Sequence, residues 1–208
     1  MTESSEQRVY ELGKHPAVNQ DIFLALRAHA IQAFANVESA LSMMFSQWLG
    51  IGLDLGGLVF FRIVNTHSRN RILDDLKRHH FQDQYALFWN SLLKLIRQID
   101  QRRNEIVHWH IVNTVNLDLP HEKASTLTLS PPTGWTIKSP PSINESDLQE
   151  FIGKCHFASR LATMFSLLKS QHVDQLGDTW LDIFQQPVIY PPPDNHPLFP
   201  NYKAPETP

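Results

Sequence analysis

The sequence predicts an all-α protein: an up-and-down four-helix bundle with a small antiparallel β insertion and a Pro-rich C-terminal tail. Three observations predict this fold class. Apolar residues recur every three or four positions over four long stretches, which is the period of an amphipathic helix. Between the third and fourth stretch the period changes to two, and prolines and glycines punctuate it, as in short strands. From Pro187 onward, eight of 22 residues are proline, which suits an extended tail.

Composition sets bounds on the function. The chain has 208 residues, 42% of them hydrophobic, and a formal net charge of -3. This length and apolar content suit a single domain over residues 1–186, followed by the tail over 187–208. The slight negative charge argues against a general electrostatic coating of nucleic acid or membrane, so any contact with nucleic acid has to be local.

Localisation and redox chemistry follow from a few residues. Cys155 is the only cysteine, so an internal disulfide is impossible and a cysteine zinc site is disfavoured. The N-terminal residues lack the apolar core of a signal peptide. The most apolar stretch, 51–64, contains Asp54 and Arg62 and is too short to span a bilayer. We expect a cytoplasmic protein with no membrane partner.

Four helices are predicted in order. The first covers about 19–49, and Gly50, Gly52, Gly56 and Gly57 break its pattern. The second covers about 58–80, with a polar middle at 65–70 where it bends or pauses. The third runs from about 82 to 110 and the fourth from about 145 to 170, with Asn144 or Ser146 as its cap. The β insertion lies at about 111–141, and a short helical piece is expected near 174–184.

The end of the third helix carries the candidate chemistry, in the stretch RRNEIVHWH (102–110). Arg103 follows Ile99 by four residues and precedes Ile106 by three, so it occupies a position of the apolar stripe. Arginine offers a permanently charged fork that fits phosphate oxygens. Histidine takes and gives protons near neutrality, and Asn104 can orient an imidazole or a ribose hydroxyl. Such a set suits metal-free RNA cleavage, in which His108 helps the 2′-OH attack phosphorus or protonates the leaving oxygen.

RNEIVH (103–108) resembles the motif of the HEPN family: an arginine, four to six residues and a histidine, often with a polar residue directly after the arginine. The resemblance implies a helical bundle, a homodimer whose motif helices meet at a cleft, and a metal-independent endoribonuclease without a cofactor. It assigns catalysis to Arg103, Asn104 and His108, with RNA as the substrate. Many members are toxins or defence effectors, and some pair with a nucleotidyltransferase, so the resemblance implies an antitoxin or a nucleotidyltransferase as a candidate partner. One toxin branch has a tyrosine where this chain has His110.

Four further residues are predicted to support the site. Arg102 is either exposed or touches a substrate phosphate. Trp109 stacks on a base or packs at an interface, and Glu38 orients Arg103. His110 lies two positions after His108, and this spacing does not favour a metal site.

Two other interpretations stay open from the sequence. In the first, the motif is structural: Arg103 pairs with an acid such as Glu38, and His108 caps the helix end. In the second, the protein is a non-catalytic helical dimer that binds a partner protein or a nucleotide. The enzyme differs from both in requiring Arg103 and His108 to be reachable from solvent and near each other.

Overall fold

The computed structural model of the chain describes residues 17–115, 125–132, 141–170 and 176–199. These residues are mostly helical and include one two-stranded antiparallel sheet, which confirms the predicted all-α class. The helices are α1 (Ala17–Leu49), α2 (Leu53–Arg62), α3 (Thr66–Phe81), α4 (Ala86–His108), α5 (Glu145–Ser166) and α6 (Asp178–Ile183). The strands are β1 (His110–Val115) and β2 (Ser125–Ser130), and a 3-10 turn at Leu167–Lys169 follows α5.

The described residues fall in two compact units. One lies within Met1–Gln32 and Arg102–Ile152, and the other within Ala33–Gln101 and Gly153–Pro208. Among the described helices, none is by itself long and apolar enough to cross a membrane. Only the pair Gln20–Leu49 and Leu53–Arg62, bent by 117°, meets that length and composition when taken together.

Helix α1 has the apolar stripe that its sequence predicts. All the stripe residues are buried: Ala30, Phe34, Val37, Leu41, Met44 and Trp48. The helix ends at a glycine in the left-handed region, Gly50 at φ 67°. Gly50 N–H donates to the Gln47 carbonyl and Ile51 N–H to the Ser46 carbonyl, the two bonds of a Schellman motif. A glycine is favoured at this position because a side chain there would be strained.

The second helix, predicted over about 58–80 with a bend or pause at 65–70, consists of two helices, α2 and α3, and the break between them lies at 63–65. Asn65 divides them, because its side chain accepts hydrogen bonds from His67 N and Ser68 N and so caps α3. Helix α2 begins before the predicted start and includes Gly56, which was read as a breaker. A Cβ at Gly56 would lie 1.9 Å from Ser46 Oγ, so the glycine permits a close approach of α2 to α1. Val64 lies after the end of α2 and is 88% exposed.

Phe165 of α5 lies at the centre of an aromatic cluster in the second unit. The Phe165 ring lies between 4.9 and 5.9 Å, centroid to centroid, from six aromatic rings: Trp48, Phe81, Tyr85, Phe88, Trp89 and Phe184. Four elements therefore meet at one side chain. Clusters of this kind stabilise a core beyond the burial of their area.

The β insertion is a hairpin of β1 and β2. Its register pairs His110 with Ser130 and Val115 with Ser125, and Leu129 also forms a bridge with Ile143. Leu127 and Leu129 are buried, so one face of β2 contributes to the core of its unit. The parts of the predicted insertion at 116–124 and 133–140 lie outside the described residues.

A side chain caps the start of α5. Asn144 is the cap of α5: its Oδ1 accepts from Asp147 N, and its own N–H donates to Asp147 Oδ2.

In the tail, residues 187–199 form neither helix nor strand. They lie against the helices, with Val188 N–H donating to Ser91 Oγ at 2.7 Å and the Tyr190 ring 5.6 Å from that of Phe157.

The contact at Gly56 can be tested against its neighbour Gly57. We expect Gly56→Ala to lower the free energy of unfolding by about 1–3 kcal/mol, because the added methyl group collides with the buried Ser46 and α2 has to move. A Cβ at Gly57 meets Ser42 Oγ at an ordinary 3.7 Å. Gly57→Ala should therefore raise stability by up to about 1 kcal/mol through helix propensity. Urea unfolding measures both, and equal effects of the two substitutions would contradict the close approach.

Candidate functional site

The motif residues lie on the last two turns of α4. Ile106 is fully buried and anchors this end of the helix in its unit. Asn104 and His108 are exposed, while Arg103 is partly buried. Because Arg103 and His108 are five residues apart, they stand about 140° apart around the helix axis and about 7.5 Å along it. Asn104 and His108, four apart, share one side. The exposed side of the helix end therefore carries both a proton-transfer group and an amide.

Arg103 and Asn104 contact each other directly. Arg103 Nη1 donates a hydrogen bond of 2.9 Å to Asn104 Oδ1. This bond holds the guanidinium beside the amide and uses one of the five N–H donors of an arginine. The structure thus brings together two of the three residues predicted to be catalytic, on the turn that precedes His108.

Arg102 belongs to a carboxylate network rather than to an open surface. Its Nη1 lies 2.8 Å from Glu105 Oε2, and its Nη2 lies 3.7 Å from Asp147 Oδ1. Asp147 also takes part in the cap of α5. A substrate phosphate at Arg102 would have to compete with these two acids, so the network favours a role in holding the ends of α4 and α5 together.

Arg27 closes the end of the motif helix, and sequence reasoning missed it. Its Nε donates to the Ile106 carbonyl at 2.9 Å, and its Nη2 donates to the carbonyls of Val107 and Trp109 at 2.9 and 3.2 Å. Carbonyls in the last turn of a helix lack intrahelical partners, and a cation there also suits the helix dipole. A signal was present: Arg27 lies four residues after Phe23 and three before Ala30, in a stripe position of α1.

Trp109 and His110 continue from the helix end into the hairpin. Trp109 is half-buried, and its N–H donates to the Glu105 carbonyl at 2.9 Å. His110 is exposed and is the first residue of β1. Both predicted roles of Trp109, stacking on a base and packing at an interface, stay predictions. His108 and His110 are set at different elements, one ending α4 and one starting β1.

Glu38 has a partner other than the one predicted for it. Its Oε1 forms an ion pair of 2.7 Å with Arg69 Nη1, and Arg69 Nε also donates to the Ile63 carbonyl at 2.7 Å. The Arg69 guanidinium lies 5.3 Å from the centre of the Phe60 ring. These contacts tie Glu38 to the junction between α2 and α3. That Glu38 orients Arg103 stays a prediction.

Within the described ranges, no three histidine, cysteine, aspartate or glutamate side chains are grouped so as to hold a metal ion. Comparison of the chain with family models, with curated proteins and with solved structures finds no significant match in any of the three.

The role of Arg27 is open to a direct test. Arg27→Met keeps an apolar stem but removes the donors, so we expect a loss of about 2 kcal/mol of unfolding free energy. We also expect faster amide exchange at Glu105–Trp109, since the three carbonyls lose their partner. Arg97 is an exposed arginine of α4, so Arg97→Met is the matched control and should change neither the unfolding free energy nor the exchange. The exchange of these amide hydrogens is measured by mass spectrometry. Unchanged exchange in Arg27→Met would show that the helix end does not depend on it.

Proposed function

We propose that the protein is a metal-independent endoribonuclease of the HEPN type that acts as a homodimer. Arg103 and His108 are its principal catalytic residues, and Asn104 is their orienting partner. The observation that carries the proposal is the placement of RNEIVH: the motif ends a long helix, with Asn104 and His108 exposed and Arg103 bonded to Asn104. The order of the long helices α1, α3, α4 and α5 supports the finer proposal of an up-and-down four-helix bundle.

The chemistry needs only groups that the motif supplies. The 2′-oxygen of a ribose attacks the adjacent phosphorus and loses its proton to a base, and the bond from phosphorus to the 5′-oxygen breaks. The leaving 5′-oxygen takes up a proton, so the products are a 2′,3′-cyclic phosphate and a 5′-hydroxyl. His108 acts as the base or as the acid. Arg103 offers N–H donors to the oxygens on which negative charge develops.

The angular spacing of the two residues favours a site built from two chains. About 140° around one axis separates Arg103 from His108, so a single narrow groove along one helix does not receive both. When two α4 helices pair across a two-fold axis, the groove between them is lined by a broader part of each helix and is surrounded by two copies of Arg103 and of His108. The long stem of an arginine then allows its charged end to reach a phosphate held beside a histidine.

The test is the cleavage of a mixed RNA pool in the presence of EDTA. We expect the wild type to cut and to leave 2′,3′-cyclic phosphate ends. His108→Ala and Arg103→Ala should each lower the rate by roughly 10²–10⁴-fold, the usual contribution of an acid–base or charge-stabilising group. Two substitutions of exposed residues, His79→Ala and Arg97→Ala, are matched controls for the loss of an imidazole and of a guanidinium, and should leave the rate unchanged.

Thermal melts of the same samples establish that each variant is folded. Cleavage that EDTA abolishes, or that survives in His108→Ala, would contradict the proposal. If the folded wild type cuts no RNA, the function that remains is that of a non-catalytic helical dimer which binds a partner protein or a nucleotide.

A further inference from the structure

Helix α2 and the residues next to its two ends expose many large apolar side chains. Seven of them are between 41 and 88% exposed, and we call them the α2 patch: Leu49, Leu53, Leu55, Leu58, Val59, Phe61 and Val64. All seven lie within 16 residues of one unit. Single exposed apolar residues are ordinary on a protein surface, but a contiguous patch of this kind marks a site of association.

The packing of α2 prevents the patch from turning inward. The opposite side of the helix is anchored by Phe60, which is 1% exposed, and by Gly56, whose backbone lies against the buried Ser46. No side chain fits at Gly56, so the rotation of α2 about its axis is set by this contact. The outward face is therefore a defined surface, presented on a rigid helix.

The charges of α2 are arranged so that the surface complements itself. Asp54, Leu58 and Arg62 are spaced four residues apart and lie along one line on the exposed side. Asp54 is at the start of the helix and Arg62 at its end, about 12 Å apart. Within the described part of the chain, neither forms an ion pair. Each charge thus faces outward beside apolar neighbours.

We propose that the α2 patch binds a second copy of this chain, with the two α2 helices antiparallel and crossing at Leu58. A two-fold axis through this point brings Asp54 opposite the partner's Arg62, and Arg62 opposite the partner's Asp54. The buried apolar side chains drive the association. The two ion pairs at the rim contribute little affinity but select the antiparallel orientation. The proposal concerns a surface other than the motif helix, and it holds whether or not the protein cleaves RNA.

A lipid surface is the main competing occupant, and the charges of α2 disfavour it. Helices that lie in a membrane interface carry several lysines or arginines on their polar face, which attract anionic lipids. Helix α2 has one acid and one base, so it has no net charge with which to attract such lipids. One charge of each sign at opposite ends is what an antiparallel copy of the same helix requires.

Site-specific crosslinking tests the proposal, and it reads this surface separately from any other dimer contact. Leu58→Cys places a thiol at the crossing point, and Leu87→Cys, at a position 65% exposed on α4, is the matched control. The native Cys155 is buried, and burial raises the pKa of its thiol to about 12, so it stays inert. The oxidant is diamide, which accepts two hydrogen atoms as the S–S bond forms. We expect a disulfide-linked dimer from Leu58→Cys and none from Leu87→Cys.

Charge reversal then tests the orientation. In the Leu58→Cys background, Asp54→Arg should lower the yield of dimer roughly tenfold, since two like-charged pairs replace two opposite ones. Adding Arg62→Asp should restore it. Equal crosslinking of Leu58→Cys and Leu87→Cys would overturn the proposal. A yield of dimer that stays the same in the charge-reversal variants would also overturn it. Flotation of the wild type with phosphatidylserine vesicles, without crosslinking, would also overturn it and assign the patch to lipid.

Discussion

The last turn of α4 leaves carbonyl oxygens that have no partner within the helix. Arg27 of α1 donates hydrogen bonds to two of them, those of Ile106 and Val107, and to the carbonyl of Trp109 just after the helix. This one side chain sets where the helix stops and where β1 starts. It acts through the backbone of the residues that flank His108, so the exposed position of that imidazole depends on it. Buried Ile106 holds the same turn from the apolar side. The proton-transfer role proposed for His108 requires such a fixed support, because a displacement of about 1 Å at a reacting group costs much of its effect.

The second unit is organised by contacts of a different kind. Phe165 gathers aromatic rings from several elements, and Gly56 brings α2 against α1 more closely than any side chain would allow. The close approach has a consequence for the surface. A helix held so tightly on its inner side cannot turn to bury the apolar residues on its outer side. The exposed row around Leu58 is thus a product of the packing, and it is the feature from which self-association is inferred.

Periodicity predicted the parts of the fold that local physics determines. The stripe of α1 and the long apolar runs of α4 and α5 are helical and buried because one face of each supplies the core. Alternation around Leu127 and Leu129 also predicted a strand, and β2 lies there. The start of α2 was predicted at about 58 rather than at Leu53, because Gly56 was interpreted as a helix breaker when it serves a close contact. That distinction requires knowing that Ser46 lies opposite, which no local pattern contains.

At the candidate site, too, local features could be predicted from the sequence and long-range contacts could not. The positions of Arg103, Asn104 and His108 on one helix end followed from the sequence, since spacing on a helix is local. Their partners did not follow, because each is a contact between distant parts of the chain. Arg27 and Ile106 are 79 residues apart, and Glu38 joins Arg69 across 31. An arginine in an apolar stripe was a usable signal at both Arg27 and Arg103, but it tells only that a partner is needed.

The most direct measurement of the central claim is the chemical rescue of single-site variants. Added imidazole should restore RNA cleavage to His108→Ala and not to Arg103→Ala, whereas added guanidinium should restore it to Arg103→Ala alone. This outcome would show that one residue moves a proton and the other stabilises charge at the same phosphate. If neither compound restores activity, or if both variants respond equally to imidazole, the account of a nuclease site at the end of α4 is wrong.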